Sequence, residues 1–170
     1  MAEIWDIYNE KREKTGKTAI RGVDKLKENE YHIVVTGVII NSKNEILITQ
    51  RAPSKTFPLM WECNGGSIVS GEDSLSGVIR ELKEDVGIEI DPEDGILIKS
   101  LRRAEVPPDF KDVWVFRKDI KDEEITLPDG EAVDFKWVTI DEFMNMYKNN
   151  LIVPTVDFFK DDYEKVIGLI

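Results

Sequence analysis

Leu75, Val78, Ile79, Leu82 and Val86 recur at spacings of three and four, which places them on one face of a helix. Asp73 or Ser74 can cap its start, and Gly87 supplies a residue that stops it. A helix with one apolar stripe must lie on an apolar surface, and the flanking sequence offers strands for it. Tyr31 to Ile40 is rich in β-branched residues, and Glu45 to Arg51 resumes after a polar turn, so the pair reads as a hairpin of two central strands. Further strands are expected at Gly95 to Arg102, Val113 to Lys118 and Val133 to Thr139. A second helix is expected near Asp141, and a third at 155–167, where Val156, Phe159, Tyr163 and Val166 are spaced helically. Ile4 to Tyr8 alternates like an edge strand, whereas Ala52 to Gly66, with Pro53, Pro58, Gly65 and Gly66, reads as a long loop. This order predicts an α/β (α+β) chain with a mixed β-sheet sandwiched between α-helices.

The polar side of the same helix carries Glu81, Glu84 and Asp85 at i, i+3 and i+4, within an arc of roughly 100°. Like charges so placed cost a helix about 0.2–0.5 kcal/mol per pair unless something compensates. A solvated acidic face is one explanation. A hard divalent cation is the other, since Mg²⁺ takes carboxylate oxygens and keeps positions open for phosphates. The whole chain has 34 Asp plus Glu against 23 Lys plus Arg, a net charge of −11. That balance argues against binding a nucleic-acid polymer or an anionic membrane, but not against a small anion reached through a metal. With 41% hydrophobic residues the chain can bury a core, so a disordered acidic tail is excluded.

Gly65-Gly66-Ser67 lies upstream, where glycine lets backbone approach a ligand or the helix closely. Taken together, Gly66, five residues, Glu72, seven residues, Arg80-Glu81-Leu82, one residue, Glu84-Asp85, one residue, Gly87-Ile88 resembles the box of the Nudix hydrolases. Its six fixed identities would match by chance at a given start on the order of once in 10⁸ trials. The family usually has Glu where this chain has Asp85, which keeps the charge and shortens the reach. The resemblance implies the Nudix fold and cleavage of a diphosphate linkage in a nucleoside diphosphate joined to another group. It implies Mg²⁺, or Mn²⁺, held by Glu81, Glu84 and Asp85, with Arg80 orienting a neighbouring carboxylate and Glu72 tying loop to helix. An acid at the offset of Glu131 supplies another metal ligand or the general base in many such sequences.

A second similarity spans about residues 16–145. Tyr31-His32, Leu47 to Lys55, Trp61 and Glu131-x5-Trp137 look like the Nudix branch that includes isopentenyl-diphosphate isomerases. That pattern wants a catalytic Cys directly before the box glycine and a metal-binding His directly after it, where this chain has Gly65 and Ser67, and a further His where it has Lys25. The hydrolase acids are present, so hydrolysis is expected ahead of isomerisation, with a catalytically silent ligand-binding module as the third reading. Substrate contacts are assigned to Arg51, as a phosphate grip or a surface ion pair, and to Gly65 and Gly66. Lys55, Arg102 and Arg103 are weaker candidates, and Trp61, Phe110 and Trp114 could stack on a base or belong to the core. His32 is expected as a strand residue with a satisfied ring, and Cys63 as a small buried side chain.

The expected organisation is one domain over 1–170, with a core at about 30–150, an N-terminal strand extension at 1–29 and the C-terminal helix. One cysteine, no basic leader and no long apolar run give a cytoplasmic expectation, with a small-molecule diphosphate as partner. The N-terminal strand could pair across a homodimer.

Overall fold

The computed structural model describes residues 2–104 and 107–168. Chain order is β1 (Ile4–Tyr8), β2 (Lys14–Ile20), β3 (His32–Ile40), β4 (Ile46–Arg51), β5 (Trp61–Glu62), β6 (Gly65–Ser67), α1 (Ser74–Val86), β7 (Gly95–Arg103), β8 (Asp109–Arg117), β9 (Ala132–Val138), α2 (Ile140–Lys148) and α3 (Lys160–Gly168). Strands β5-β4-β3-β8-β7 run side by side, with β6 also on β3 and β9 also on β4. β3 and β8 are parallel and the other pairs antiparallel, which makes the sheet mixed as expected.

Side-chain alternation along β3 divides the core. Ile33, Val35 and Ile39 face α1, where they meet the fully buried Val78, Leu82 and Val86. Val38 and Ile40 face the other way, into a cluster with Phe143 of α2 and Val166 of α3. Each buried aliphatic side chain contributes about 1.5–3 kcal/mol, so the stripe read from the sequence suffices to dock α1. Gly37 permits the close approach: a Cβ there would lie 2.8 Å from Leu82 Cδ1. Asp73 caps α1 by accepting from the Ser76 N–H, and Gly87 ends it in the left-handed conformation at φ 72°.

The expected β3–β4 hairpin is closed only at its turn, where Ile40 faces Ile46. Beyond that point β6 pairs with β3 at Val34–Thr36 and β5 pairs with β4 at Thr49 and Gln50. The segment expected as loop at 52–66 therefore contains strand, and it prises the two long strands apart. Asn64 ties the opening: its carbonyl accepts from Gly37 N–H at 2.8 Å, and its Oδ1 accepts from Thr49 Oγ1 at 2.8 Å. α3 starts at Lys160 rather than 155, because Val156 and Phe158 are drawn into the core as irregular chain.

The N-terminal extension is a hairpin, not a lone strand, since β2 pairs antiparallel with β1. β2 is almost wholly exposed, so no apolar alternation announced it. The hairpin is fastened at both ends. Asp6 accepts from Ser70 Oγ at 2.6 Å and from Gly71 N–H at 3.0 Å, next to α1. Arg12 clamps the buried Asp112 of β8 with both guanidinium nitrogens. Burial alone would raise the Asp112 carboxyl, but hydrogen bonds from Arg12, Ser74 and Ser100 hold it below its ordinary value.

Under the hairpin, Trp5 stacks on His32 with ring centroids 3.9 Å apart. Contrary to the expected satisfied ring, both His32 nitrogens and Trp5 Nε1 are buried without a hydrogen-bond partner among the described residues. Burial, with smaller contributions from Arg21 and Arg103 and against the pull of Asp109, pushes the imidazole down to about 4. The native state thus resists a proton that the unfolded chain accepts below about pH 6.5. This contribution is present in full above that pH and is lost as pH falls towards 4, on the order of 3 kcal/mol. Denaturant titrations of wild type and His32→Phe should diverge in slope between pH 6.5 and 4.5, with the variant flatter. Parallel slopes would show that His32 is not a source of acid lability.

Candidate active site

The helix acids open onto a cavity of about 450 Å³. Glu81, Glu84 and Asp85 come from α1, Gly65 and Gly66 from β6, Thr49 and Arg51 from β4, and Glu62 from β5. Lys55 and Glu131 enter from the loops flanking β4 and β9. The splaying of β3 from β4 creates the room, and the docking of α1 over Gly37 delivers the acids to it. Thus the structure brings Glu81, Glu84, Asp85, Glu131, Arg51, Gly65 and Gly66 to one cavity. Glu72, Arg80 and Gly87 support it from outside.

Arg80 organises the acids. Its Nη1 donates to Glu81 at 2.8 Å and to Glu84 at 2.9 Å, and its Nε and Nη2 donate to Glu72 at 2.8 and 3.1 Å. Nη2 also reaches the Ser67 carbonyl at 3.1 Å. Glu72 in turn accepts from Val69 N–H at 3.1 Å, which ties the glycine-rich segment to α1. Gly87 is needed twice, for its positive φ and because a Cβ would lie 2.1 Å from Thr126 Oγ1.

The electrostatics of the cavity are unbalanced. Burial first, then the charges of Glu81, Glu131 and Glu62, raise the Asp85 carboxyl to about 7, against a hydrogen bond from the Gly65 backbone. Burial likewise raises Glu81, opposed by Arg80, and raises Glu62, opposed by Arg51. Glu84 is the accessible member, with 60% of its side chain exposed. At Gly66 a Cβ would fall 2.4 Å from Glu81 Oε2, so only glycine leaves that carboxylate its place. Among the described residues no three acids, thiols or imidazoles already enclose an ion-sized point. The donor set nevertheless fits a hard cation: it is all oxygen, it shares one cavity, and its most exposed carboxylate, Glu84, is held by an exposed i,i+4 pair.

The cations around the cavity are engaged. Arg51 donates to both oxygens of Glu62 at 2.7 and 2.6 Å and to the Thr56 carbonyl, so it lines the cavity as an ion pair. Lys55 pairs with Glu131. Arg103 is held by Asp109 and Asp157 in a neighbouring cavity, and Arg102 lies against Tyr31. The three aromatics do not line the acidic cavity: Phe110 is core, Trp114 bonds Ser74, and Trp61 sits under Lys136. Glu62, Thr49 and Asn64 were not singled out in the sequence. Glu62 had a signal in principle, as the acid that β-pairing sets opposite Thr49, two residues from Arg51.

The isomerase-like features stay apart. Cys63 is buried, and burial drives its thiol up to about 12, out of reach of proton transfer at neutral pH. His32 is locked under Trp5, and neither residue lines the acidic cavity.

The family model of the NUDIX domain matches residues 30–156. The chain is 36% identical over 154 residues to an uncharacterized Nudix hydrolase of Listeria monocytogenes, covering 89% of each chain. It is 27% identical over 110 residues to an isopentenyl-diphosphate Delta-isomerase of Escherichia coli, covering 62% of this chain and 60% of the other. A crystal structure from Deinococcus radiodurans superposes with a TM-score of 0.72 at 23% identity, covering 98% of both chains.

Proposed function

From the premise that this chain belongs to the Nudix hydrolases, which cleave pyrophosphate bonds, we propose that it hydrolyses the diphosphate linkage of a nucleoside diphosphate joined to another group, in a Mg²⁺-dependent reaction. The observation that carries this reading is the convergence of Glu81, Glu84, Asp85 and Glu131 on one cavity. These four residues would hold Mg²⁺, or Mn²⁺ in its place, and the bound ion would neutralise the diphosphate and acidify the attacking water.

The chain's own groups do the rest. Arg80 holds Glu81 and Glu84 in register on consecutive turns and, through the Ser67 carbonyl, keeps the Gly65–Ser67 strand against α1. Gly65 and Gly66 would offer backbone to the diphosphate at the cavity wall, and their missing side chains leave room for the Val35 carbonyl and the Glu81 carboxylate behind it. One of two acids would accept the proton of the attacking water: Glu131, once released from Lys55, or Glu84, the exposed acid of the helix. Arg51 stiffens the wall through Glu62, and contact with phosphate requires competition with that pair.

We take residues 1–170 as one hydrolase domain acting on a small molecule. Among the described residues no helix is long and apolar enough to cross a membrane. The free, buried Cys63 suits a reducing cytoplasm.

A dication bound by the native state alone stabilises by about 2.7 kcal/mol at one hundred times its Kd, which is several degrees in Tm for a domain of this size. Millimolar Mg²⁺ should therefore raise the Tm of wild type and fail to raise that of a Glu81→Gln, Glu84→Gln double variant. Equal melting of wild type with Mg²⁺ and with EDTA would remove the metal from the proposal.

A further inference from the structure

The matched family region begins at residue 30, yet the hairpin that precedes it contributes to the active-site cavity. Arg21, directly after β2, lines the acidic cavity and also two neighbouring ones. One of these, about 260 Å³, is walled by Arg51, Arg103 and Lys111 as well. The other, about 760 Å³, is walled by Trp5, Val23 and Leu26 among others. Arg21 therefore stands where the three openings meet.

Its present bonding is weak by comparison with its neighbours. The Arg21 guanidinium is paired with Glu3 of the same hairpin at 2.8 Å, with the two side chains 56% and 40% exposed. Exposed pairs of this kind contribute little. Three other cations at these walls are held in less exposed pairs: Arg51 by Glu62, Lys111 by Asp157, and Arg103 by the buried Asp109. Among the described residues, the cations that line the acidic cavity are Arg21, Arg51 and Lys55, and Arg21 has the most exposed side chain of these, so a phosphate can compete with Glu3 for it at little cost. The hairpin that carries it is anchored by Asp6 on Ser70 and Gly71 and by Arg12 on Asp112, so its reach is fixed while its head group stays free to exchange. A planar guanidinium also matches two phosphate oxygens at once.

We propose that Arg21 is a substrate-binding residue that leaves Glu3 to grip the diphosphate in the acidic cavity, and so sets affinity from an element outside the matched family region. The proposal rests on the diphosphate reading of the cavity above. A structural alternative exists, in which Arg21 and Glu3 only brace the hairpin, and the two ideas predict opposite patterns.

The test measures binding of methylenediphosphonate, a non-hydrolysable diphosphate core, by calorimetry in the presence of Mg²⁺. Wild type, Arg21→Gln, Arg21→Lys and Glu3→Gln are compared, with Tm recorded for each. Substrate binding predicts about 10- to 100-fold weaker binding for Arg21→Gln, partial recovery in Arg21→Lys, and binding equal to or tighter than wild type in Glu3→Gln. Tm should be nearly the same for all four. If Arg21→Gln and Glu3→Gln weaken binding equally, or lose Tm equally with binding retained, the bracing role stands and the proposal is overturned. No binding of the probe to wild type at millimolar concentration also overturns it. Failure of the hydrolase reading is separable: the Arg21 pattern in binding, without turnover of any diphosphate, would leave a diphosphate-binding protein with Arg21 in its site.

Discussion

Glu84→Gln should lower kcat by at least about two orders of magnitude while leaving the fold and Tm close to those of wild type. Most of the Glu84 side chain is in solvent, and its ion pair to Arg80 is an exposed i,i+4 contact worth only tenths of a kcal/mol. Stability therefore has little stake in the charge. The active site has a large one, because Glu84 is the exposed carboxylate of the helix triad, and losing one such group removes interactions made at the transition state. A fall in kcat with little change in KM, together with native circular dichroism, is the expected result. Turnover like that of wild type would show that the helix acids are a solvated face after all.

Arg80→Met should do the reverse in kind, costing both stability and activity. One guanidinium satisfies Glu72, Glu81, Glu84 and the Ser67 carbonyl, and three quarters of its side chain is buried. Removing it leaves the half-buried Glu81 and Glu72 without their partner. Breaking a fully buried pair costs about 3–5 kcal/mol, and with discount for partial exposure a loss of about 2 kcal/mol is expected. The glycine-rich strand would then loosen from α1, so kcat should fall by about tenfold or more. Mg²⁺ should raise the Tm of this variant at least as much as that of wild type, since the ion offsets the same repulsion that Arg80 relieves. Thermal unfolding with and without Mg²⁺ checks this. Unchanged Tm in the variant would mean that the four contacts are incidental.

The parts of the molecule legible in the sequence are those where one periodicity carries one burden. α1 could be read with both caps because its stripe faces one surface and its stop is a glycine with positive φ. The placement of Glu81, Glu84 and Asp85 followed from helix geometry alone. β8 was less visible: it begins at Asp109, four residues before the apolar run, because Asp109, Lys111 and Asp112 are buried through ion pairs to Arg103, Asp157 and Arg12. Buried charges of that kind look like loop residues to any pattern of hydrophobicity. β2 escaped for the opposite reason, as an exposed strand with hardly a buried side chain.

Away from α1 the site was legible only where a motif or the family resemblance singled out a residue, as at Arg51, Gly65, Gly66 and Glu131. Glu62 and Arg21 reach the cavity through strand pairing and hairpin docking, which link residues distant in sequence. His32 shows the same limit in the core. Its strand position was plain, whereas its stacking under Trp5 depends on a hairpin whose second strand was unforeseen.

The central claim is that these carboxylates make a metal-dependent diphosphate hydrolase. The most direct measurement is ³¹P NMR of the protein with a panel of nucleoside-diphosphate derivatives and isopentenyl diphosphate, in Mg²⁺ and in EDTA. The account predicts that at least one nucleoside-diphosphate derivative loses its P–O–P resonances in Mg²⁺, yields two phosphate monoester products, and is untouched in EDTA. Diphosphates that stay intact throughout the panel, or an isopentenyl group that rearranges with its P–O–P bond preserved, would contradict it.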